Sequence, residues 1–184
     1  GQFGDGTRTS QRQPVATAAG KFWKHIATGY SWTCGIQTDD TLWCWGAGPN
    51  GQLGIGSTPV QQLLPVQEVT GSKWQQIAAG ALYSCGIKTT GSLWCWGEGG
   101  TGQLGLGSTT TYDTPQKVGS ATDWTAASLG ASHACGLRQG GALYCWGRNE
   151  KGQSNPPGGT CDKAASTDGT PCELSQSTEK FGSI

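Results

Sequence analysis

Methionine is absent from this chain, histidine occurs only as His25 and His133, and just 13% of residues are charged. Lys+Arg 12 balance Asp+Glu 12, so the formal net charge is zero. Without a basic run to hold a phosphate backbone, nucleic acid is excluded as the main partner. No apolar run approaches the roughly 20 residues a helix needs to cross a bilayer, so no membrane span is expected. No signal peptide, transit sequence or lipidation motif is visible. Neither histidine lies in a recognisable nucleophile–base arrangement, and His25 aligns with Gln76 and Ala126 as an ordinary variable position. The reading is therefore of a protein that is not an enzyme, with no cofactor and no metal.

Glycine, tryptophan and cysteine are abundant instead: Gly 32, Trp 9 and Cys 8 in 184 residues. So much glycine without a period would indicate disorder, but here there is a period. Trp23, Trp74 and Trp124 each open a W-x-x-[I/A]-A/S pattern. Cys34, Cys85 and Cys135 follow, each before Gly and then Ile or Leu. Further on, Cys44, Cys95 and Cys145 sit in Leu-[Trp/Tyr]-Cys-Trp-Gly. Gly51-Gln-Leu-Gly-Ile-Gly56 returns as Gly102-Gln-Leu-Gly-Leu-Gly107 and decays at Gly152-Gln-Ser-Asn. Each unit alternates short apolar segments with Gly and Pro turns and lacks helical periodicity, which reads as a few β-strands per repeat. A period near 50 residues with several strands apiece indicates propeller blades, about 3.6 of them in this chain. The repeats run 23–73, 74–123 and 124–180, the last with an insertion at 155–175. Residues 1–22, which carry Gly1-Gln-Phe-Gly-Asp-Gly6, read as the end of a preceding repeat, and Phe181-Gly-Ser-Ile184 as the start of another. A chain that opens mid-repeat, on Gly1 and not Met, is expected to be processed or part of something longer.

Leu-x-Cys-Trp-Gly, Gly-Gln-Leu-Gly-x-Gly and W-x-x-Ile-Ala-Ala-Gly together resemble the regulator-of-chromosome-condensation repeat family. The resemblance implies an all-β propeller of four-stranded antiparallel blades, usually closed as a seven-bladed ring. It does not bring the family's known activities with it. The light-sensing tryptophans of one plant branch sit in Gly-Trp-Arg-His-Thr, which this chain lacks. Guanine-nucleotide exchange depends on surface loops of a complete ring, not on the repeat motif. A bacterial branch of secreted, protein-binding propellers is the nearer analogy, at the level of the fold alone.

The hairpin Thr33–Trp45 fixes the cysteine register. A three-residue loop needs a left-handed last residue, which Asp40, Gly91 and Gly141 supply at equivalent positions. That register sets Cys34 opposite Cys44, Cys85 opposite Cys95 and Cys135 opposite Cys145, each a non-hydrogen-bonded pair. Their Cα atoms then lie about 4.5 Å apart, within disulfide range. Cys161 and Cys172 bracket the polar stretch 162–171 and are paired as a staple. Buried free thiols in a reducing compartment are the alternative; zinc is the weaker one, because Cys-x9-Cys lacks the short ligand spacing. Asp162–Asp168 likewise lacks the spacing of a calcium loop. A cysteine pair in every repeat indicates an oxidising compartment, hence an extracellular or cell-surface protein. By alternation, Cys34, Ile36, Leu42 and Cys44 share one face, while Gly35 leaves room for the Trp43 indole on the other. G-x-x-G-x-G is neither a dinucleotide fingerprint nor a phosphate loop, and reads as glycines holding tight turns.

The functional reading is a non-catalytic extracellular module that binds protein or glycan. Recognition falls on positions that vary between repeats: Pro49 and Asn50, Glu98 and Thr101, Arg148, Asn149, Glu150 and Lys151, and in the insertion Asp162, Lys163 and Asp168. The alternative is a structural subunit that self-assembles through blade edges into a ring or fibre. A lesser one is an inhibitor of a secreted hydrolase.

Overall fold

The computed structural model describes residues 1–17, 20–153 and 172–173. Twelve strands run in order: β1 Trp23–Thr28, β2 Trp32–Gln37, β3 Leu42–Ala47, β4 Gln61–Gln67, β5 Trp74–Ala79 and β6 Tyr83–Lys88. They continue as β7 Leu93–Gly97, β8 Tyr112–Lys117, β9 Trp124–Leu129, β10 His133–Arg138, β11 Leu143–Gly147 and β12 Cys172–Glu173. Three four-stranded antiparallel sheets result, β1–β4, β5–β8 and β9–β12, each a meander of consecutive strands. No helix among the described residues is long and apolar enough to cross a membrane. The first strands pack against one another, β1 on β5 and β5 on β9, so they lie nearest the axis and the fourth strands lie outside.

The hairpin register is the one the turn chemistry dictates. Gln37 N–H donates to Thr41 C=O at 2.9 Å, and Asp40, with φ 71°, is the one non-glycine residue in the left-handed region among those described. Gly91 and Gly141 take that conformation in the other blades. Cys34, Cys85 and Cys135 fall directly opposite Cys44, Cys95 and Cys145, and all three pairs are disulfide-bonded with Cα atoms 4.1 Å apart. The Cys161 side of the fourth pairing lies outside the described residues. Only the backbone of Cys172 is placed, opposite Cys145.

One packing expectation needs correcting. Gly35 does lie opposite Trp43. The indole it admits, however, belongs to Trp23 on β1. A Cβ on Gly35 would stand 2.6 Å from the Trp23 ring, and Gly86 and Gly136 have the same relation to Trp74 and Trp124, at 2.7 Å. Trp43 points along its own strand's flank, where its indole N–H donates to Thr41 Oγ1 and Lys21 Nζ lies 4.5 Å from its ring centroid. Glycine on the middle strand thus lets the tryptophan that opens each repeat lie flat across its own blade. That tryptophan also meets the Cys-Trp-Gly tryptophan, with ring centroids 5.3 Å apart for Trp23–Trp45 and 5.6 Å for Trp74–Trp96.

Each blade therefore has a tryptophan face and a cysteine face, and neighbours stack one against the other. Cys34, Ile36, Leu42 and Cys44 are sealed beneath Trp74, Ile77 and Trp96 of the second blade. Cys85, Ile87, Leu93 and Cys95 lie beneath Trp124, Ala127 and Trp146 of the third. The core is between the sheets, and burial of these apolar faces is the main force joining blade to blade.

Candidate interaction rim and the clasp behind it

The turns β1–β2, β5–β6 and β9–β10 and the loops that follow Trp-Gly emerge at one end of the sheets. Backbone bonds hold each loop beside its turn: Ala47 N–H to Ser31 C=O, Glu98 to Leu82 and Arg148 to Ser132, at 2.8–3.0 Å. Residues 47–50, 98–101 and 148–151 thus share a rim, opposite to the hairpin loops at Asp40, Gly91 and Gly141.

A glutamine organises each loop from within. The Gln52 Oε1 accepts the N–H of Asn50 at 2.9 Å, Gln103 that of Thr101 at 2.8 Å, and Gln153 that of Lys151 at 2.8 Å. Gln52 and Gln103 are buried, so these caps are shielded from competing water. The main-chain carbonyl of the same glutamine reaches the next blade. Gln52 C=O accepts the Trp96 indole N–H at 3.0 Å and the Ser84 hydroxyl at 2.5 Å. Gln103 C=O accepts the Trp146 indole at 2.9 Å. Gln2 C=O repeats the arrangement with Trp45 and Thr33, both at 2.9 Å.

The glycine after Leu makes the seat for that indole. A Cβ on Gly54 would lie 2.6 Å from Trp96 Nε1, and one on Gly4 or Gly105 would lie 2.7 Å from Trp45 Nε1 or 2.9 Å from Trp146 Nε1. Their positive φ marks the tight turns read from the sequence. The larger role, a clasp from one blade to the next, escaped that reading because the partners lie 43 or 44 residues apart. The constant spacing between Gly-Gln and Cys-Trp-Gly was the available signal.

The rim side chains differ from blade to blade. Pro49 is exposed and Asn50 half-buried, while Glu98 is half-buried beside Gly99 and Gly100. Thr101 is partly engaged, its hydroxyl donating to Gln103 Oε1 at 2.7 Å and to Ser132 C=O at 3.3 Å. Arg148 pairs with Glu150 at 2.6 Å in an exposed contact that raises the guanidinium pKa. Lys151 and Asn149 are exposed on the same loop. Asp162, Lys163 and Asp168 lie outside the described residues. Tyr30, in the β1–β2 turn, is 87% exposed on this rim, where the equivalent turns carry Ala81 and Ala131. Comparing only the loops after Trp-Gly passed it over.

The opposite end is occupied by joints. Trp74 N–H donates to Asp40 C=O at 2.8 Å, and Trp124 N–H to Gly91 C=O at 3.0 Å, each across a blade boundary. Glu68 is buried and accepts from the Trp74 indole, the backbone N–H groups of Thr70 and Ser72 and the Thr70 hydroxyl. Lys88 lies 3.5 Å from the Trp94 centroid, its pKa lowered by burial and partly restored by Glu68. At the rim end, where β6 begins, burial pushes the Tyr83 phenol up, and its hydroxyl donates to His133 C=O one blade on. No group of three or more His, Cys, Asp or Glu able to hold a metal occurs among the described residues.

Comparison with known proteins agrees with this anatomy. The family model described as the regulator of chromosome condensation (RCC1) repeat matches residues 39–87 and 90–137, and a second RCC1 repeat model matches 23–52, 74–103 and 124–153. The ultraviolet-B receptor UVR8 of Arabidopsis thaliana is 34% identical over 124 residues, covering 65% of this chain and 28% of the receptor. The human E3 ubiquitin-protein ligase HERC2 is 29% identical over 132 residues, 67% of this chain and 3% of the ligase. Yeast RCC1 (Prp20), solved bound to Kap60, superposes with TM-score 0.73 at 18% identity over 96% of this chain and 43% of that one. Human WBSCR16 superposes with TM-score 0.65 at 18% identity, over 79% and 40% of the two chains. This chain thus spans less than a third of the two curated relatives and under half of the two solved ones. With the RCC1 model matched over more than half its length and the blade anatomy in place, the chain belongs to the regulator of chromosome condensation (RCC1) repeat family.

Proposed function

We propose that this chain works outside the cell as a non-catalytic protein-binding module, engaging its partner through the rim of 47–50, 98–101 and 148–151 with Tyr30. One observation carries the reading. Ala-Gly-Pro-Asn, Glu-Gly-Gly-Thr and Arg-Asn-Glu-Lys share only the second-position glycine of the first two, yet each is fixed by the equivalent turn carbonyl and the equivalent glutamine cap. Variable side chains on loops held by a rigid scaffold are how folds acquire recognition. The extracellular placement rests on the disulfide-bonded pair in each blade. Yeast RCC1 (Prp20), which shares this fold, is itself known bound to another protein, Kap60.

Assembly through outer blade edges is the less favoured reading. Pro65 in β4 and Pro115 in β8 hold equivalent places, one residue before the partners of Cys44 and Cys95. Proline on an edge strand removes a donor and blunts edge-to-edge pairing. The repeat boundaries 23–73, 74–123 and 124–180 belong to the same proposal.

The test is affinity capture and a glycan array with the native protein and two variants. One carries Tyr30→Ala, Asn50→Ala and Glu98→Ala on the rim; the other carries Thr38→Ala and Thr89→Ala at the opposite end. A protein ligand lost only with the rim variant supports the reading. Binding lost only with the opposite-end variant, or seen only to glycans, overturns it.

A further inference from the structure

Two turns meet on the rim where the first blade joins the second. Trp32 Nε1 donates to Ala81 C=O at 3.3 Å, and a Cβ on Gly29 would stand 2.8 Å from Gly80 C=O. The β1–β2 turn, which carries Tyr30, therefore abuts the β5–β6 turn. Glu98 is tied to that same second turn, its N–H donating to Leu82 C=O at 3.0 Å. Tyr30 and Glu98 are thus brought to one turn from two blades. The residues around them are small: Ala81, Gly99 and Gly100. A Cβ on Gly100 would meet nothing within 4 Å, so this notch opens to solvent. All of it is built from the first two blades, which both lie within the described residues.

The two side chains are chemically unspent. Tyr30 is 87% exposed. Exposure belongs to this turn position: Ala131, its equivalent in the third blade, is exposed although Thr101 of the second blade bonds Ser132 C=O beside it. The rim loops and turns of the three blades carry two carboxylates, Glu98 and Glu150. Glu150 is taken by Arg148. The Glu98 carboxylate has no ion-pair partner among the described residues, whose pairs are Lys24–Asp40, Arg138–Asp123 and Arg148–Glu150. Residues 29–32, 47–50, 80–82 and 98–101 include no Lys or Arg at all. The notch therefore combines an aromatic ring with an uncompensated negative charge.

A cation satisfies both groups at once. The face of an aromatic ring attracts it, and a carboxylate accepts two parallel N–H bonds from a guanidinium. A purely apolar group docked here would strip water from Glu98 without replacing it, and an acidic group would be repelled. Resting on the rim reading above, we infer that this notch takes a basic side chain of the protein partner. Arginine fits better than lysine, because its planar fork both stacks on Tyr30 and pairs with Glu98. The rim thus has a stated chemistry at the first joint: an arginine of the partner, held between tyrosine and glutamate over a floor of alanine and glycine.

The experiment selects binders to the native full-length protein from a random linear peptide library displayed on phage, then measures their affinity by fluorescence polarisation. Enriched peptides should share an arginine. Replacing it by citrulline, its neutral isostere, leaves the protein untouched and should weaken binding about tenfold. Glu98→Gln should weaken it about tenfold as well, and Tyr30→Leu about threefold. Glu98→Lys should abolish binding, and a peptide with glutamate in place of the arginine should restore it. No enrichment, enriched peptides without a basic residue, or affinities indifferent to Glu98→Gln overturn the inference. Peptides lost with Asn50→Ala but not with Glu98→Gln or Tyr30→Leu overturn this notch and leave the rim reading standing. Peptides lost only with Thr38→Ala and Thr89→Ala overturn both.

Discussion

The indole N–H of Trp96 donates to the main-chain carbonyl of Gln52, 44 residues earlier and one blade back, at 3.0 Å. The glutamine that supplies this carbonyl also caps, through its side chain, the rim loop at Asn50. Rim geometry and blade stacking are thus set by one residue. A rim loop cannot shift far without disturbing the joint between blades, which keeps variable side chains at fixed relative positions.

Trp96→Phe isolates the hydrogen bond from the packing. Phenylalanine keeps most of the buried ring, and Gln52 C=O retains the Ser84 hydroxyl as a donor. The cost should be about 1 kcal/mol, the net worth of one hydrogen bond. Trp96→Ala opens a cavity in the core as well and should cost about 3–5 kcal/mol. Urea denaturation of both variants reads the difference. A Trp96→Phe variant as stable as the parent, with Trp96→Ala still costly, would mean that the clasp contributes nothing beyond ring burial.

Two glycines of similar backbone conformation separate conformational strain from crowding. Gly54 and Gly71 have φ 67° and 61°. A Cβ on Gly71 meets nothing within 4 Å, whereas one on Gly54 presses on Trp96 Nε1 at 2.6 Å. Alanine at 71 should cost about 1 kcal/mol, from left-handed strain alone. Alanine at 54 should cost about 1–3 kcal/mol more, the usual range for overpacking a filled site. Thermal denaturation in which the two alanine variants melt together would remove the indole seat from the account.

These two positions also show what the sequence makes legible. Short-range chemistry is written plainly: Asp40, Gly91 and Gly141 fix the turn, and the turn fixes which cysteines meet. Contacts across a blade boundary are harder to read, because any one repeat contains half of each. Gly35 is an example within a single blade, where two indoles, Trp23 and Trp43, compete for the space and only the β1–β2 packing decides. Glu68 is another. It looks like any surface carboxylate in sequence, yet it is buried as acceptor for Trp74, while Val118 occupies its place before Trp124. The rim was legible as variable loops, but its common end and the addition of Tyr30 needed the strand directions.

Acid should act on the third blade through Asp123. The Arg138 guanidinium forks onto this carboxylate, Nε to Oδ1 at 2.7 Å and Nη2 to Oδ2 at 3.0 Å, and holds its pKa below the ordinary 3.8. A carboxyl whose folded pKa lies below its unfolded one contributes stability that is complete above the unfolded value. As pH falls below 3.8 the unfolded chain takes up the proton first, and the contribution fades until the folded pKa is passed. Both side chains keep about a third of their surface in solvent, so salt should weaken the pair. Asp5 and Asp39 are lowered as well, by Thr7 and Thr41, so a single substitution removes only part of the acid sensitivity. Asp123→Asn should therefore show a smaller loss of stability than the parent chain between about pH 7 and pH 3 in low salt, with the gap narrowing in high salt. Urea unfolding at both pH values gives the comparison, and parallel losses in the two proteins would show that the Arg138–Asp123 fork is spent on geometry and not on stability.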